Sequence, residues 1–538
     1  MESAACPQTV ADAVVQRLRD HDVAHVFGYP GGQLTPLYDA LCREPAIRHV
    51  LARDEQAAAF MADGYARATG KPGVCLAVCG PGVLNAATPL ATAFTDSIPL
   101  LLISGQVPVL GRGPRSGYYH ENDQLHACTS FTKWRCHIDD PRGLITELDR
   151  AFRALTERRP GPVLVEVPLD VQRTPFPHLE MPPLPPTLPP LAPRPSDITE
   201  LVELIAGWKR PVLLAGGGVL SAGACGLLAQ LAERLGAPVL TTLMGKSAFP
   251  GDHPLAAGLP WHQATSDLTN MEPLLSPALA EADAMLAIGC RFTQAATGSW
   301  VMKPPPQLVH IDIDGAEIGR HYAVTLGIQA DAAEALRALL AALPEAPRLP
   351  WHTPVPLPRW RLRGLELLDT MRPLLPRDAI IVGDITRLTY MMLAQFPIYE
   401  PRSFLHPAGF VSMGFGLPAA LGAKLAFPQR PVVTIMGDGC FQMTGMELAT
   451  AVQEKLPVIV ILMNDSSLTL IKAIQQRRYE GRYFGVDLRN PDFGLFAQAF
   501  GVRYWRAASD PEFATALRQA LDGGESGLIE VQVGDRID

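Results

Sequence analysis

Two acidic residues, each at the end of an apolar run, carry the strongest chemical signal in the chain. Asp438 lies in Gly437-Asp438-Gly439 after one run, and Asp465 follows the next run, which ends at Asn464. If these runs are parallel strands of a βαβ unit, the two carboxylates reach the same edge of one sheet. Carboxylate oxygens suit Mg²⁺, and glycine N–H groups beside a helix N-terminus suit phosphate. The spacing therefore predicts a site for Mg²⁺ and a diphosphate.

This pattern resembles the thiamine diphosphate (ThDP) motif, in which GDG is followed at a set distance by an Asn pair. The resemblance implies that Asp438, Asp465 and the backbone carbonyl of Ser467 bind the metal ion. Asp465 replaces the usual second Asn, as it does in some catabolic acetolactate synthases. Four neighbours are assigned to the cofactor on the same grounds: Gly437, Gly439, Cys440 and Leu468. An ordinary buried βαβ unit is the alternative interpretation.

The composition limits what kind of protein this is. A chain of 538 residues, 48% hydrophobic and 19% charged, is globular and long enough for about three domains. Its net charge of −8 and the lack of a basic run argue against nucleic acid or an anionic membrane as a partner. The start has no signal-peptide pattern, no apolar run reaches bilayer length, and the nine scattered cysteines fit reduced thiols. We therefore expect a cytoplasmic protein.

Two Pro-rich stretches, residues 173–195 and 343–359, divide the chain into predicted domains at 1–172, 196–342 and 360–538. In each domain, short apolar runs alternate with helix-like segments, which is typical of parallel α/β sheets. The fold class is thus three doubly wound parallel-sheet α/β domains. The resemblance makes them, in order, a pyrimidine-binding domain, a central domain and a diphosphate-binding domain.

In the first domain, Glu55 heads a predicted helix that has Asp54 as N-cap and ends at Gly70. Taken alone, an acid in the first turn is simply favoured by the helix dipole. The segment resembles acetolactate synthases, and the resemblance implies that Glu55 shares a proton with the cofactor's aminopyrimidine ring. Such an acid needs a dry site, where desolvation raises a carboxyl pKa. Gly82 and Asn85 are assigned to the cofactor by the same resemblance.

Three further residues are candidates for catalysis. Gly32 lies in a glycine turn that, in relatives, leaves room for substrate near the reacting carbon. His120 occupies the place where acetolactate synthases usually carry a catalytic Gln, and an imidazole can protonate a carbanion near neutral pH. This favours simple decarboxylation over carbon–carbon bond formation, although a structural role for His120 stays equally open. Gln124 is a nearby alternative, and Tyr119 is assigned to the substrate pocket.

In the third domain, Met413 matches the apolar residue that wedges the cofactor into a V shape in relatives, which brings its reacting atoms together. Val411 and Thr386 match positions that bind the aminopyrimidine and the diphosphate. Three residues after the metal loop are predicted to line the substrate pocket: Leu470, Ile471 and Ile474. Acetolactate synthases usually have Trp at the last position, so Ile474 argues against that activity.

The central domain resembles the FAD-carrying domain of acetolactate synthases. The candidate nucleotide-binding residues are Gly216, Gly217, Gly218, Arg291 and Asp312. Gly-rich strand ends are common in doubly wound folds, and the family's acidic pair after Arg291 is missing. FAD, a bare adenine nucleotide and an empty domain all remain open.

Together these features predict a ThDP- and Mg²⁺-dependent enzyme that decarboxylates a small 2-oxo acid, after which the enamine is protonated or transferred to an acceptor. The alternatives are an acetolactate synthase that makes 2-acetolactate from pyruvate, a flavin-dependent oxidase of the pyruvate oxidase type, and a non-catalytic nucleotide-binding relative. Relatives build each active site from the Glu of one subunit and the GDG segment of another. The resemblance therefore implies a homodimer or homotetramer with active sites between subunits.

Overall fold

The computed structural model describes residues 8–113, 115–177, 181–263, 273–353, 361–362 and 364–533. The described residues contain three sheets in which all paired strands are parallel, and this confirms the predicted fold class. The chain forms two compact units. Unit 1 comprises Met1–Leu188, Phe410–Pro428 and Thr444–Leu456, and unit 2 comprises Pro189–Gly409, Gln429–Met443 and Pro457–Asp538.

The sheet of unit 1 has the strand order β2-β1-β3-β4-β6-β5. Its strands are β1 (His25–Gly28), β2 (Arg48–Leu51), β3 (Gly73–Ala77), β4 (Leu100–Gln106), β5 (Trp134–His137) and β6 (Val163–Pro168). The helices of this part of the chain are α1 (Val10–Asp20), α2 (Thr35–Cys42), α3 (Glu55–Thr69), α4 (Pro81–Asn85), α5 (Ala87–Asp96), α6 (Gln124–Ala127), α7 (Leu144–Thr156) and α8 (Leu169–Arg173). The three central strands β3, β4 and β6 are buried throughout, as continuous apolar runs predict.

The first sheet of unit 2 has the order β13-β12-β11-β7-β8. The strands of this region are β7 (Pro211–Ala215), β8 (Val239–Thr241), β9 (Trp261–Gln263), β10 (Pro273–Leu275), β11 (Ala284–Ile288), β12 (Gln307–Asp312) and β13 (Leu326–Gln329). Strands β9 and β10 form a separate antiparallel pair. The helices are α9 (Pro195–Gly207), α10 (Gly217–Ser221), α11 (Cys225–Leu235), α12 (Pro277–Glu281) and α13 (Ala332–Ala342).

The second sheet of unit 2 has the order β15-β14-β16-β17-β19-β18. Its strands are β14 (Ile380–Gly383), β15 (Phe404–Leu405), β16 (Val432–Gly437), β17 (Ile459–Asn464), β18 (Arg503–Ala507) and β19 (Gly527–Gln532). The helices from residue 364 onward are α14 (Leu367–Met371), α15 (Arg387–Gln395), α16 (Gly416–Ala426), α17 (Asp438–Thr444), α18 (Leu448–Gln453), α19 (Thr469–Arg478), α20 (Phe493–Ala499) and α21 (Asp510–Gly523). Helices α16 and α18 belong to unit 1.

The sheet of unit 1 and the second sheet of unit 2 share one topology. In each, the second strand lies on one side of the first strand and the third strand lies on the other side. The crevice where the strand order reverses is where doubly wound sheets bind ligands. It lies at the carboxyl ends of β1 and β3 in unit 1, and of β14 and β16 in unit 2.

The two Pro-rich stretches contain little regular secondary structure among their described residues. Helix α8 ends at Arg173 and α9 begins at Pro195, and the described residues between them form no helix or strand beyond an isolated bridge at Pro175. The described residues 343–353 also form neither. Residues 178–180 and 354–359 of these two stretches lie outside the described residues. The domain boundaries assigned from the sequence stay a prediction.

Two predicted features can be compared directly with the structure. The eight cysteines in the described part of the chain are free thiols, as expected. Among the described residues, no helix is both long and apolar enough to cross a bilayer.

Helix α3 begins and ends where the sequence predicts. Asp54 caps it by accepting a hydrogen bond from the Ala57 N–H at 2.7 Å, and Gly70 ends it in the left-handed conformation at φ 77°. The helix packs within unit 1 against α16, and a Cβ added to Gly64 or to Gly422 would overlap a backbone carbonyl oxygen of the other helix. Glycine therefore allows two backbones to pack against each other here.

We predict that Gly64→Ala lowers the free energy of unfolding by about 1–3 kcal/mol or more, because a backbone carbonyl cannot rotate away from the added methyl group. Gly226→Ala is the matched control, since its helix α11 offers open space at that position. The control should be neutral or gain up to about 1 kcal/mol from the better helix propensity of Ala. Differential scanning calorimetry of both variants tests this, and equal melting temperatures would contradict the packing argument.

Candidate active site

Asp438 is the first residue of α17 and directly follows β16. It is 2% exposed. Its Oδ2 accepts hydrogen bonds from the Ser466 N–H at 2.8 Å and from the Asn490 side-chain amide at 2.6 Å. Its Oδ1 accepts one from the Gly439 N–H at 2.8 Å. Burial outweighs these bonds and raises the pKa of Asp438.

Asp465 directly follows the neighbouring strand β17 and is half-buried. Its carboxylate accepts hydrogen bonds from the Thr469 hydroxyl at 2.5 Å and from the Ser467 N–H at 3.1 Å. Burial, with the nearby charge of Asp438, raises the pKa of Asp465 to about 6 despite those bonds. The two carboxylates are therefore close enough to repel each other, and a cation between them would favour their charged forms.

The donor set fits Mg²⁺. Two carboxylates and backbone carbonyls are hard oxygen ligands, and Mg²⁺ usually takes one or two protein carboxylates together with phosphate oxygens. Across the described ranges, no group of three or more His, Cys, Asp and Glu side chains is arranged to hold a metal ion. The assignment of Asp438 and Asp465 as ligands of Mg²⁺ stays a prediction. Ser467, the third predicted ligand, is buried in the same loop, and its hydroxyl donates to the Val486 carbonyl at 3.1 Å.

The predicted diphosphate residues lie at the same edge of this sheet. Thr386 caps α15 by accepting from the Thr389 N–H at 3.1 Å, and the Cys440 thiol donates to the Ile385 carbonyl at 3.3 Å. A Cβ on Gly437 would make only an ordinary contact with Thr386 at 3.6 Å. Packing does not require glycine at 437, so a ligand that approaches the backbone would explain it.

The predicted pocket residues lie within α19. The N–H of Leu468 donates to the Val486 carbonyl at 2.7 Å, which ties the loop after β17 to the segment after α19. Ile471 is 46% exposed, while Leu470 and Ile474 are half-buried. Helix α19, which begins shortly after Asp465, therefore carries three apolar side chains that are at least partly accessible.

In unit 1 the structure brings Glu55, Gly82 and Asn85 together. Glu55 is the first residue of α3 and is 8% exposed. Its Oε2 accepts a hydrogen bond from the Asn85 amide at 3.0 Å, and a Cβ on Gly82 would lie 2.9 Å from its Oε1. The carboxyl group is therefore largely shielded from water. Its Oε1 lies beside Gly82, which has no side chain to cover that oxygen.

The predicted wedge segment also belongs to unit 1. Met413 is half-buried, and Val411 is 45% exposed. The segment is fixed at both sides, because Thr92 donates to the Phe410 carbonyl at 2.9 Å and Thr444 donates to the Gly414 carbonyl at 3.0 Å. These bonds hold the backbone while leaving the two predicted contact residues accessible.

His120 has a left-handed backbone at φ 67° and packs with its backbone against Gly80. Its ring stacks on Tyr119 at 3.7 Å, and Tyr119 is 77% exposed. Gly32 faces open space, since a Cβ there would meet nothing within 4 Å. The structure therefore leaves Tyr119 and Gly32 accessible, as a role beside substrate requires.

Gln124 is fully buried, and its amide forms hydrogen bonds with two backbone groups and one hydroxyl. Its oxygen accepts from the Gly80 N–H at 3.0 Å, while its amide nitrogen donates to the Ser104 hydroxyl at 3.0 Å and to the Gly105 carbonyl at 3.1 Å. Both N–H groups are used, so this side chain is placed to hold the loop at the end of β3.

Comparison with known proteins identifies the family of the chain. Three family models match in order: "Thiamine pyrophosphate enzyme, N-terminal TPP binding domain" at residues 8–127, the "central domain" at 198–339 and the "C-terminal TPP binding domain" at 384–531. A probable acetolactate synthase large subunit of Methanocaldococcus jannaschii is 37% identical, over 97% of this chain and 91% of the relative. The chain belongs to the thiamine pyrophosphate enzyme family. Thiamine pyrophosphate is ThDP, so the suspected resemblance is confirmed.

Two further comparisons define the group within this family. A probable 2-ketoarginine decarboxylase of Pseudomonas aeruginosa is 36% identical, over 98% of this chain and 94% of the relative. The solved structure of a ThDP-dependent 4-hydroxybenzoylformate decarboxylase of Rhodococcus jostii RHA1 matches with a TM-score of 0.84 and 26% identity, over 98% of this chain and 100% of that chain. The protein is a ThDP-dependent enzyme of the acetolactate synthase and 2-oxo acid decarboxylase group.

In the central domain, packing explains most of the glycines that suggested FAD. A Cβ on Gly216 would overlap the Gly289 carbonyl, and one on Gly218 would lie 2.6 Å from the Gly289 Cα. Gly217 faces Met244 at 3.1 Å. The ends of β7 and β11 therefore require glycine with or without a nucleotide. Arg291 is half-buried, and Asp312 accepts from the Asp314 N–H at 2.9 Å.

One residue that contacts Asp438 was missed from the sequence. The Asn490 amide nitrogen lies 2.6 Å from Asp438 Oδ2 and 2.8 Å from Asn464 Oδ1, and its oxygen accepts from Gln442 at 2.9 Å. It thus joins the ends of β16 and β17. Asn490 follows Asp438 by 52 residues, in a loop that carries no motif of its own.

We predict that Asn490→Ala weakens Mg²⁺-dependent ThDP binding by about 10- to 100-fold, because residues behind a metal ligand fix its orientation. Gln498→Ala, which removes an exposed amide on α20, is the control. Titration of each variant with Mg²⁺ at fixed ThDP, followed by calorimetry, measures the change. An Asn490→Ala variant that binds as tightly as the control would rule out this role.

Proposed function

We propose that the enzyme binds ThDP with Mg²⁺ and decarboxylates a 2-oxo acid, releasing an aldehyde after protonation. The observation that carries this proposal is the facing pair Asp438 and Asp465 at neighbouring strand ends, where burial raises the pKa of both. Bound ThDP would supply the electron sink that lets the substrate lose CO₂. A cytoplasmic location stays a prediction.

The protein's own residues would divide the remaining work. Asp438, Asp465 and the Ser467 carbonyl would hold the metal ion, while Thr386 and the N–H groups at the start of α17 would bind the diphosphate. Met413 and Val411 would fix the aminopyrimidine. Glu55, shielded from water beside Asn85, would share a proton with that ring.

Proton delivery to the product is assigned to His120. Imidazole is the side chain most often used as a general acid, whereas the amide of Gln124, with both N–H groups hydrogen-bonded, is not an acid. The accessible Tyr119 and the open side of Gly32 would border the same reacting carbon. This arrangement supports protonation of the product over transfer to a second substrate.

Acetolactate synthesis from pyruvate is the second candidate. The observation in its favour is the 37% identity to the probable acetolactate synthase of M. jannaschii. Ile474 and His120 argue against this activity, because acetolactate synthases usually carry Trp and Gln at these positions. Flavin chemistry is left out of the proposal because packing accounts for the glycines of the central domain.

We predict that Glu55→Gln lowers turnover by about 10²- to 10⁴-fold, the usual contribution of a positioned acid or base. The amide keeps the size of the side chain and can still bond Asn85, so the melting temperature should change little. Glu147→Gln, another first-turn acid of a unit 1 helix, is the control. The assay is CO₂ release from a panel of 2-oxo acids with ThDP and Mg²⁺, and a Glu55→Gln variant as active as the control would refute the assignment.

The same variant tests the proposed sharing of sites between subunits. We infer that Glu55 of one subunit serves the metal site of another, as the resemblance implies. Glu55→Gln and Asp438→Ala chains, each inactive alone, should then recover part of the activity when co-expressed, because a hybrid dimer holds one site with both native residues. Light scattering that shows a fully active monomer would contradict this.

We predict that His120→Gln shifts the products from aldehyde to carbon–carbon ligation, because an amide cannot protonate the carbanion equivalent. The expected change is a severalfold rise in the ratio of acetolactate to acetaldehyde with pyruvate as the only substrate. His126→Gln, an exposed residue of α6, is the control. An unchanged product ratio in the His120→Gln variant would leave His120 without this role.

A further inference from the structure

A buried acid outside the sites described above lies behind the turn that leads to Glu55. Glu447 immediately precedes α18 in unit 1 and is 1% exposed. Its Oε1 accepts a hydrogen bond from the backbone N–H of Arg53 at 2.8 Å. Its Oε2 lies 2.6 Å from the hydroxyl oxygen of Thr450.

Thr450 extends this contact to the other side of the same turn. Its hydroxyl oxygen lies 3.1 Å from the carbonyl oxygen of Leu51, the last residue of β2. Glu447 and Thr450 together therefore hold the backbone at both Leu51 and Arg53. Glu55 follows Arg53 by two residues and begins α3, so this turn sets where α3 starts.

The two bonds of Thr450 restrict the protonation state of Glu447. A hydroxyl group has one hydrogen, so when Thr450 donates it to Leu51, a full hydrogen bond between Thr450 and Glu447 needs a proton on the carboxyl group. Burial raises the pKa of Glu447 to about 7, although its bonds with Thr450 and with the Arg53 N–H oppose the rise. A protonated carboxyl is therefore available at and below neutral pH.

The charged groups around this chain of bonds have partners of their own. The Arg53 guanidinium donates to the Leu51 carbonyl at 3.1 Å and to Gln453 at 2.9 Å. Arg48, at the start of β2, pairs with Glu454 at 3.0 Å. Asp54 is occupied as the N-cap of α3.

We propose that Glu447 is a positioning residue for Glu55: it fixes the turn between β2 and α3 through Arg53 and, via Thr450, through Leu51. The proposal rests on the function proposed for Glu55. Misplacement of a reacting group by about 1 Å can cost on the order of 100-fold in rate. Only the N-cap Asp54 lies between Arg53 and the first residue of α3, so a movement of Arg53 would be passed directly to Glu55.

The test compares two substitutions of Glu447 with a control of matched stability. We expect Glu447→Ala to lower kcat by about 10- to 100-fold at saturating ThDP and substrate, because the Arg53 N–H loses its acceptor and Thr450 loses the carboxyl group that it contacts. Glu447→Gln should stay within a few-fold of the wild type, since its carbonyl accepts from Arg53 and its amide donates to Thr450 as the protonated acid does. Leu148→Ala removes a buried side chain of α7 and should lower the melting temperature without lowering kcat.

A double-mutant cycle separates this role from general stability. Glu447→Ala should have little further effect on turnover in a Glu55→Gln background, because both changes act on one group. If Glu55→Gln keeps full turnover, the proposed function fails. If Glu55→Gln loses turnover while Glu447→Ala keeps it, only the positioning role fails. If Glu447→Ala does not fold, Thr450→Val is used instead. This variant should lower kcat severalfold, and an unchanged kcat would overturn the positioning role of Glu447.

The protonation state supplies an independent readout. Because the pKa of Glu447 in the fold lies above its ordinary value of 4.5, the stability it contributes is fully present at low pH and is lost as the pH rises through about 7. The melting temperature of the wild type should therefore fall relative to that of Glu447→Gln between pH 5 and pH 8. A difference that stays constant across this range would show that Glu447 is ionised throughout, and would contradict the bonded chain through Thr450.

Discussion

The candidate active site depends on two carboxylates that the fold removes from water at neighbouring strand ends. Strands β16 and β17 are parallel and adjacent, with Gly437 paired to Met463, so the residues that follow them meet at one edge of the sheet. Burial raises the pKa of Asp438 and of Asp465. Two like charges in such a place are costly without a cation, and this cost explains why a divalent ion and an anionic cofactor suit the site.

One sheet topology serves two chemical tasks in this enzyme. The sheet of unit 1 and the second sheet of unit 2 have the same strand order, and each places glycine-containing turns at the crevice where that order reverses. In unit 2 this edge carries Asp438 and Asp465, the two proposed metal ligands. In unit 1 the corresponding edge lies beside the segment of Gly82 and Asn85. In this segment Asn85 bonds Glu55, and Gly82 leaves one carboxylate oxygen of Glu55 uncovered. The difference lies in the residues at the strand ends, as expected when function is carried by sites on a shared fold.

Local signals made much of this architecture predictable from the sequence. Apolar runs gave the central strands, and Asp54 and Gly70 marked the ends of α3, because caps depend on residue type at single positions. Contacts between distant segments carried no such signal. Asn490 lies 52 residues from Asp438, and Glu447 reaches Arg53 across 394 residues, so their roles could only be read from the folded chain. The commitment of the Gln124 amide to the backbone was hidden for the same reason.

The central claim is that Asp438 and Asp465 hold ThDP through a divalent ion. Isothermal titration of the purified protein with ThDP, in Mg²⁺ and again in excess chelator, tests it most directly. We expect saturable heat with Mg²⁺, and loss of that heat both in chelator and in an Asp438→Asn variant that melts at the wild-type temperature. Equal binding of ThDP under all three conditions would contradict the account.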